Sequence, residues 1–369
     1  MKKKVFTAIG LMTGTSMDGV DLSLIESDGF SEFTSILNKY EKFDSKLQGD
    51  LMILRDKIIT FDDLKKYSNE INRLEREITL FHAKVIDKFL KKNNHKIDLI
   101  GFHGQTIFHD SKKKISKQIG DGQLLSQITK KIVVNNFREQ DLINGGQGAP
   151  LTPIFHKLIK KIFKIKDVVF INIGGITNTT AIWNDGKMSG TDIGPGMCLI
   201  DRWIRQKLKK NYDKDGLIAK SGKVNLKALS NLLINFKEKK TTLRSGSIQS
   251  FDTQYFNFSF PENISIEDGA ATLTEFTSQV IISAIKEIDH HIEEVILCGG
   301  GRKNTFLVER IKEKITKIKL IDEYKIDGDF VESQAFAYLA IRSYLKLPIS
   351  FPETTGVKKP CSGGFLVKI

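Results

Sequence analysis

Three clusters of glycine and small polar residues have the composition to hold a polyphosphate and its nucleoside. The first comprises Gly14, Thr15, Ser16, Met17, Asp18, Gly19, Val20 and Asp21. No lysine follows its glycines, so it is not a Walker A loop. Gly14 and Gly19 let a backbone turn sharply and approach an anion closely. Thr13, Thr15 and Ser16 add hydroxyl and amide donors of the kind that line anion-binding concavities. Asp18 and Asp21 repel phosphate unless Mg²⁺ lies between, because a hard cation takes carboxylate and water oxygens. The alternative is an ordinary hairpin tip. A second cluster, Asn172 to Asn178 with Gly174 and Gly175, repeats the pattern, and two such tips can close on a polyphosphate from opposite sides. A third, Gly299, Gly300 and Gly301 followed by Asn304, leaves an apolar run and enters a helical pattern. A strand-to-helix glycine turn of this kind lets a base or ribose lie against the backbone. Asp268 heads a nearby helical pattern and reads as its N-cap.

The elements that carry these turns follow from the apolar periodicity. Val5 to Ile25 and Val168 to Trp183 each read as strand, small-residue turn, strand, once in each half of the chain. Asp98 to Phe102, Lys131 to Asn135, Glu293 to Cys298 and Ile318 to Ile321 are further strand-like runs. Ile71, Leu74, Ile78, Phe81, Val85 and Phe89 recur at helical spacing, as do Leu273, Phe276, Val280, Ala284 and Ile288. Strands alternating with helices predict α/β sheet cores covered by helices. The repeat predicts two similar domains, 1–165 and 166–345, with the boundary near Lys160 to Lys166. Residues 346–369 are expected to pack back on the first domain.

Composition narrows the partners. The 369 residues are 40% hydrophobic and 27% charged, as in ordinary soluble globular proteins. The N-terminal apolar run is broken by Thr13 to Ser16 and Asp18, which excludes a signal-peptide core, and no uncharged stretch suits a membrane span. Three scattered cysteines, Cys198, Cys298 and Cys361, form no metal spacing and no disulfide framework. Cys198 and Cys298 read as small buried fillers. The net charge of +13 comes from dispersed lysines without interleaved aromatics, so it reads as a solvated surface rather than a nucleic-acid platform. A cytoplasmic protein with a small-molecule ligand and no nucleic-acid or membrane partner is expected. The assembly state is open, a homodimer being one option.

Two phosphate-type turns followed by an adenosine-type turn resemble the layout of the superfamily of acetate kinases, sugar kinases, actin and heat-shock chaperones. Further stretches resemble one family within it, the anhydro-N-acetylmuramic acid kinases. These are Phe102 to Thr106, Gln118 to Gly122, Asn136 to Arg138 with Asp141, Gly145 to Pro153, Asp192 to Gly196, Asp327-Gly328, and Glu332 to Ala337. With Gly14 to Asp21 they span nearly the whole chain. The resemblance implies two duplicated ribonuclease H-like (actin-like ATPase) domains with a nucleotide cleft between them. It implies ATP and Mg²⁺ as cofactors and 1,6-anhydro-N-acetylmuramic acid as substrate. Because O6 of that sugar is bridged to C1, phosphorylation is coupled to attack of water at C1, giving N-acetylmuramic acid 6-phosphate and ADP.

The resemblance carries roles onto particular residues. Asp192 becomes the general base, its alternative being a turn cap, and Glu332 an acidic group near metal and phosphates, its alternative being a helix N-terminal charge. Asp18 and Glu332 are the metal candidates. Arg138 grips the lactyl carboxylate, or else pairs with Asp141 at the surface. His103, Thr106, Asp141, Gly148, Ala149 and Pro150 complete the sugar site. Two departures are visible: Met197 stands where the family usually has Asn, and Lys239 to Gly246 is a loose counterpart of a Pro-Lys-Ser-Thr-Gly-Arg-like segment. Asp201 keeps the family spacing. The competing readings are a conventional kinase on another amino sugar or small acid, and a non-catalytic ATP-gated binding module.

Overall fold

The computed structural model describes residues 4–93, 95–243, 255–256, 261, 263–288 and 292–368. His290, His291 and residues 244–246 of the Lys239 to Gly246 segment lie outside the described residues. The chain divides into two compact units, Met1–Lys164 with Phe330–Ile369, and Ile165–Asp329.

In the first unit β1 (Phe6–Thr13), β2 (Gly19–Ser27) and β3 (Phe33–Lys42) form an antiparallel meander. After three helices, the last of them Ser68–Lys92, come β4 (Leu99–Asp110), β5 (Ile115–Ile119) and β6 (Ile132–Asn135). β4 runs parallel to β1 and to β6, and β5 folds back antiparallel on β4. The second unit repeats the scheme. β7 (Val168–Ile173), β8 (Ile176–Ile182) and β9 (Met188–Pro195) are an antiparallel meander. β10 (Glu294–Cys298) runs parallel to β7 and to β11 (Ile318–Leu320). The sheet orders are therefore β3-β2-β1-β4-β6 and β9-β8-β7-β10-β11, and β12 (Phe365–Val367) adds antiparallel to β6. Two copies of one ribonuclease H-like topology are present, as the repeated hairpins lead one to expect.

Apolar patterning places the cores. The helix Ser68–Lys92 buries Ile71, Leu74, Ile78, Val85 and Phe89 against the first sheet's cluster. The helix Ile266–Ile288 buries Leu273, Phe276, Val280 and Ala284 and shares them between two clusters of the second unit. Among the described residues no helix is long and apolar enough to cross a membrane.

Several expectations need correction. The chain returns to the first unit at Phe330, not near 346, so the helix Val331–Tyr344 belongs with β1, β2 and β4. Its docking rests on two glycines that are neighbours across β1 and β4, Gly10 and Gly101. A methyl group on Gly10 would stand 1.9 Å from the Ser333 carbonyl oxygen, and one on Gly101 would stand 2.3 Å from that of Phe336. Only bare backbone lets the helix lie that close. β4 is twelve residues long, so His103 and Thr106 sit within a strand rather than in a turn after it. Asp268 lies inside the first helical turn, and the cap is Ser265, whose hydroxyl accepts from the Asp268 amide at 3.0 Å. Asp268 instead accepts from the Lys223 amide at 2.6 Å.

Gly10→Ala should cost about 3 kcal/mol or more, because the obstructing atoms are backbone and cannot rotate away. Gly49, in the helix Ser45–Lys57, has open space around it, and a methyl group there would meet nothing within 4 Å. Gly49→Ala should accordingly stabilise by about 0.5–1 kcal/mol. Urea midpoints of the two variants, moving in opposite directions, check the assignment.

Candidate active site

In the second unit the functional side chains are set by strand register. Asn172 of β7 is opposite Asn178 of β8, and Asn178 is opposite Asp192 of β9. Directly opposed residues share a sheet face with Cβ atoms about 5 Å apart. The three short polar side chains therefore form a row across three strands. Asp192 is only 6% exposed. It lies within β9, so it is presented from a paired strand and is not the cap of a turn. The Asn178 Oδ1 atom is buried with no hydrogen-bond partner among the described residues.

The two glycine turns of this unit flank that row. The Gly174 carbonyl accepts from the Met197 amide at 2.8 Å and the Gly175 carbonyl from the Gly196 amide at 2.9 Å. These bonds tie the β7–β8 turn to the start of the helix Cys198–Leu208. Gly299 has φ +79°, and a methyl group there would stand 2.4 Å from Asn172 Oδ1. The turn after β10 therefore packs directly on the end of β7. Gly300 is exposed, and a methyl on it would meet nothing within 4 Å. Asn304 has a structural part: its Oδ1 caps the helix Thr305–Lys312 by accepting from the Leu307 amide at 2.9 Å, while its Nδ2 is buried with no hydrogen-bond partner among the described residues. Burial of Cys198 pushes its thiol up to about 12, consistent with a filler rather than a nucleophile.

In the first unit the β1–β2 turn is built differently from the sequence reading. Its left-handed residue is Met17, φ 52°, while Gly14 and Gly19 are not left-handed. Gly19 is required for another reason, since a methyl group would lie 2.6 Å from the Glu41 carbonyl and the Tyr40 ring. Met17 and Val20 point into the core, so only their backbones can serve a ligand. Thr15 and Ser16 are exposed, and the Ser16 hydroxyl donates to Asp18 Oδ1 at 2.6 Å. The turn is braced from β4: Thr13 Oγ1 donates to the Gly104 carbonyl at 2.7 Å and Gln105 Nε2 to the Gly14 carbonyl at 3.2 Å. Asp21 sits on β2 opposite Met12.

Of the residues that the resemblance assigns to the sugar, Arg138, His103, Gly148 and Asp141 are joined by hydrogen bonds. Arg138 donates from Nε and Nη2 to His103 Nε2 at 3.2 and 2.9 Å, and from Nη1 to the Gly148 carbonyl at 2.8 Å. The Gly148 amide donates to Asp141 Oδ2 at 2.7 Å, and Thr355 Oγ1 donates to Asp141 Oδ1 at 2.6 Å. One peptide unit after another around Gly148 is thus gripped by charged groups, ahead of a cis Ala149–Pro150 bond. His103 is buried, and its Nδ1–H donates to the Gly104 carbonyl at 2.8 Å. Both ring nitrogens are engaged, Nδ1 by the Gly104 carbonyl and Nε2 by Arg138, so His103 holds the guanidinium in place. Thr106 Oγ1 accepts from Gln118 Nε2 at 3.1 Å. Glu332 stands half-buried in the first turn of the helix Val331–Tyr344, on the first unit rather than the second.

Among the described residues no three His, Cys, Asp or Glu side chains gather as a metal site. Sequence reasoning missed Thr355, and it singled out the stretches holding Gln105 and Gln118 without giving either glutamine a part. Thr355 carried no signal, because the contact that matters is 214 residues away.

A duplicated ribonuclease H-like fold, with small-residue turns at the strand ends of both sheets and a buried carboxylate beside two of them, suits a phosphotransferase acting on a small polar ligand. The chain matches the family model described as anhydro-N-acetylmuramic acid kinase over residues 6–368. It is 49% identical over 376 residues to the anhydro-N-acetylmuramic acid kinase of Pelagibacter ubique (strain HTCC1062), covering 99% of each chain. It is 36% identical over 378 residues to that of Agrobacterium fabrum (strain C58 / ATCC 33970), again covering 99% of each. At the level of solved structures it is distantly similar to a ROK family glucokinase from Streptomyces griseus, with 10% identity, a TM-score of 0.40 and coverage of 90% and 98%. The chain belongs to the anhydro-N-acetylmuramic acid kinase family. It is an enzyme, a sugar kinase of cell-wall recycling, and the reading as a non-catalytic module is not favoured.

Burial holds three histidines neutral: His82 falls to about 4, His156 to about 3, and His103 well below its ordinary value, with the Arg138 charge adding to burial there. Their unfolded forms bind protons below about pH 6.5 and their folded forms do not. Unfolding stability should therefore fall as pH drops from about 6.5 toward 4, each group adding a slope of up to about 1.4 kcal/mol per pH unit. Urea titrations across that window check this, and His82→Gln should remove about a third of the combined slope.

Proposed function

We propose that the chain uses ATP to phosphorylate O6 of 1,6-anhydro-N-acetylmuramic acid while water attacks C1. The anhydro bridge opens, and N-acetylmuramic acid 6-phosphate and ADP are released in the cytoplasm. The observation that carries this reading is the row Asn172, Asn178, Asp192. A buried carboxylate beside a buried amide oxygen that lacks a donor offers two acceptors, the arrangement that holds and aims a water molecule.

Asp192 takes one proton from the attacking water. The new bond is C1–O, the C1–O6 bond breaks, and O6 carries its electron pair to the γ-phosphorus as the bond to ADP breaks. In the second unit, amides of the turns at Gly174-Gly175 and Gly299 to Gly301 would hold the nucleotide. In the first unit, amides of Gly14 to Asp21 would take phosphate, and Arg138, fixed by His103 and Gly148, would take the lactyl carboxylate. Asp18, with Glu332 as the second candidate, would hold Mg²⁺ directly or through water. The ion, when bound, neutralises charge on the phosphates. Asp141 acts on the sugar site by holding the Gly148 amide.

Asp192→Asn should lower kcat by about 10²–10⁴ with an unchanged unfolding midpoint. In ¹⁸O-water, product quenched before its anomeric oxygen exchanges should carry the label at C1. A fully active Asp192→Asn enzyme would remove the base assignment, and unlabelled C1 would remove coupled hydration in favour of a conventional kinase.

A further inference from the structure

Arg302 follows the glycine turn after β10, and its side chain is only 5% exposed. An arginine so buried is tolerated only when its charge and its donors are matched. Nε and Nη2 donate to the two carboxylate oxygens of Asp322 at 2.7 and 2.9 Å, a bidentate pair. Nη1 donates to Asp329 Oδ1 at 2.6 Å and also to the Gly299 carbonyl at 3.1 Å. The Arg302 amide donates to that same carbonyl at 3.2 Å. The backbone of Gly328 lies against the guanidinium, for a methyl group there would stand 2.2 Å from Nε. Asp322, Gly328 and Asp329 thus form a cage whose product is one fixed guanidinium.

The consequence lies one peptide away. Two donors from one residue fix the direction of the Gly299 carbonyl. In a planar trans peptide the N–H points opposite to the C=O. The Gly300 N–H is therefore aimed away from Arg302, at a residue that is exposed and has open space over its Cα. We propose that Arg302, held by Asp322 and Asp329 across Gly328, is a positioning residue for the nucleoside triphosphate: it presets the Gly299–Gly300 peptide so that its N–H faces the nucleotide. This rests on the reading that the Gly299 to Gly301 turn holds the nucleotide. Arg302 itself touches no ligand, and Asp327-Gly328, otherwise without a part in the site, gains one as the wall of the cage.

Lysine keeps the charge but cannot span the Asp322 pair, Asp329 and the Gly299 carbonyl together. Arg302→Lys should raise the KM for ATP about tenfold or more, leaving kcat and the KM for the sugar within about twofold, since the lost contacts are charge-assisted. Asp322→Asn, a milder change outside the glycine turn, should move the ATP KM the same way by less, and serves if Arg302→Lys does not fold. Gly300→Val tests the underlying reading, because Gly300 is exposed and a Cβ there meets nothing within 4 Å. If Gly300→Val raises the ATP KM while Arg302→Lys or Asp322→Asn lowers only the unfolding midpoint, Arg302 is merely structural and the proposal fails. If Gly300→Val also leaves the ATP KM unchanged, the nucleotide reading of the turn fails and the proposal with it.

Discussion

The close seat of the helix Val331–Tyr344 on Gly10 and Gly101 is the contact on which the first unit depends. Hydrophobic burial does not choose this seat, since any apolar helix face would cover a sheet. The absence of two side chains does. Once the helix lies at backbone distance, Phe336 reaches the His103 ring at a centroid distance of 4.4 Å and the Phe137 ring at 5.2 Å. The first contact is with the residue that holds Arg138, and the second is with the residue that precedes Arg138. The same helix sends Tyr338 Oη and Arg342 Nη1 to the Gly29 carbonyl, at 3.0 and 2.8 Å. The chain then leaves it for the short helix Pro352–Thr355, from which Thr355 meets Asp141.

A buried polar chain follows from that seat. Thr355, Asp141, the Gly148 peptide, Arg138 and His103 are joined in sequence by hydrogen bonds, each donor meeting an acceptor. Burying so many polar groups is unfavourable unless each is satisfied. A neutral His103 is part of that satisfaction, because protonation at Nε2 would turn the acceptor for Arg138 into a second donor. Ser333 extends the same logic, for it meets Ser23 at 2.7 Å and Ser23 donates to Asn38 at 2.8 Å. The outcome is a guanidinium whose position is decided by the fold rather than by its ligand.

Much of this was legible in the residues, and the parts that were not share physical causes. The hairpins were readable because apolar β-prone runs stop at Gly and hydroxyl residues. β3 was not, since an edge strand such as Phe33–Lys42 is half-exposed throughout and shows no alternation. β9 carries Gly190, Gly194 and Pro195, which argue against a strand until β8 is seen to pair with it. β4 outran its apolar start because His103, Gln105 and Thr106 are held inside it by partners distant in sequence. The helix Val331–Tyr344 was placed with its sequence neighbours because spatial return of a chain leaves no local mark. Asp141 and Arg138 were readable as polar residues of one site; that they meet through Gly148 was not.

The two sheets share a topology, yet they divide the chemistry, and Met197 shows how. In the family this position usually carries Asn, a polar side chain beside the candidate base. Here Met197 is packed against both hydrophobic clusters of the second unit while its amide still holds the Gly174 carbonyl. The backbone role of the position survives the substitution, and the side-chain role passes to apolar filling. Asp192 is then oriented chiefly by its strand, with Asn178 directly across from it and Thr191 paired with Thr179 beside it. Side chains with few rotatable bonds on paired strands hold their geometry better than those on a loop. A carboxylate built into β9 can therefore lose a polar neighbour in the following turn and keep its aim.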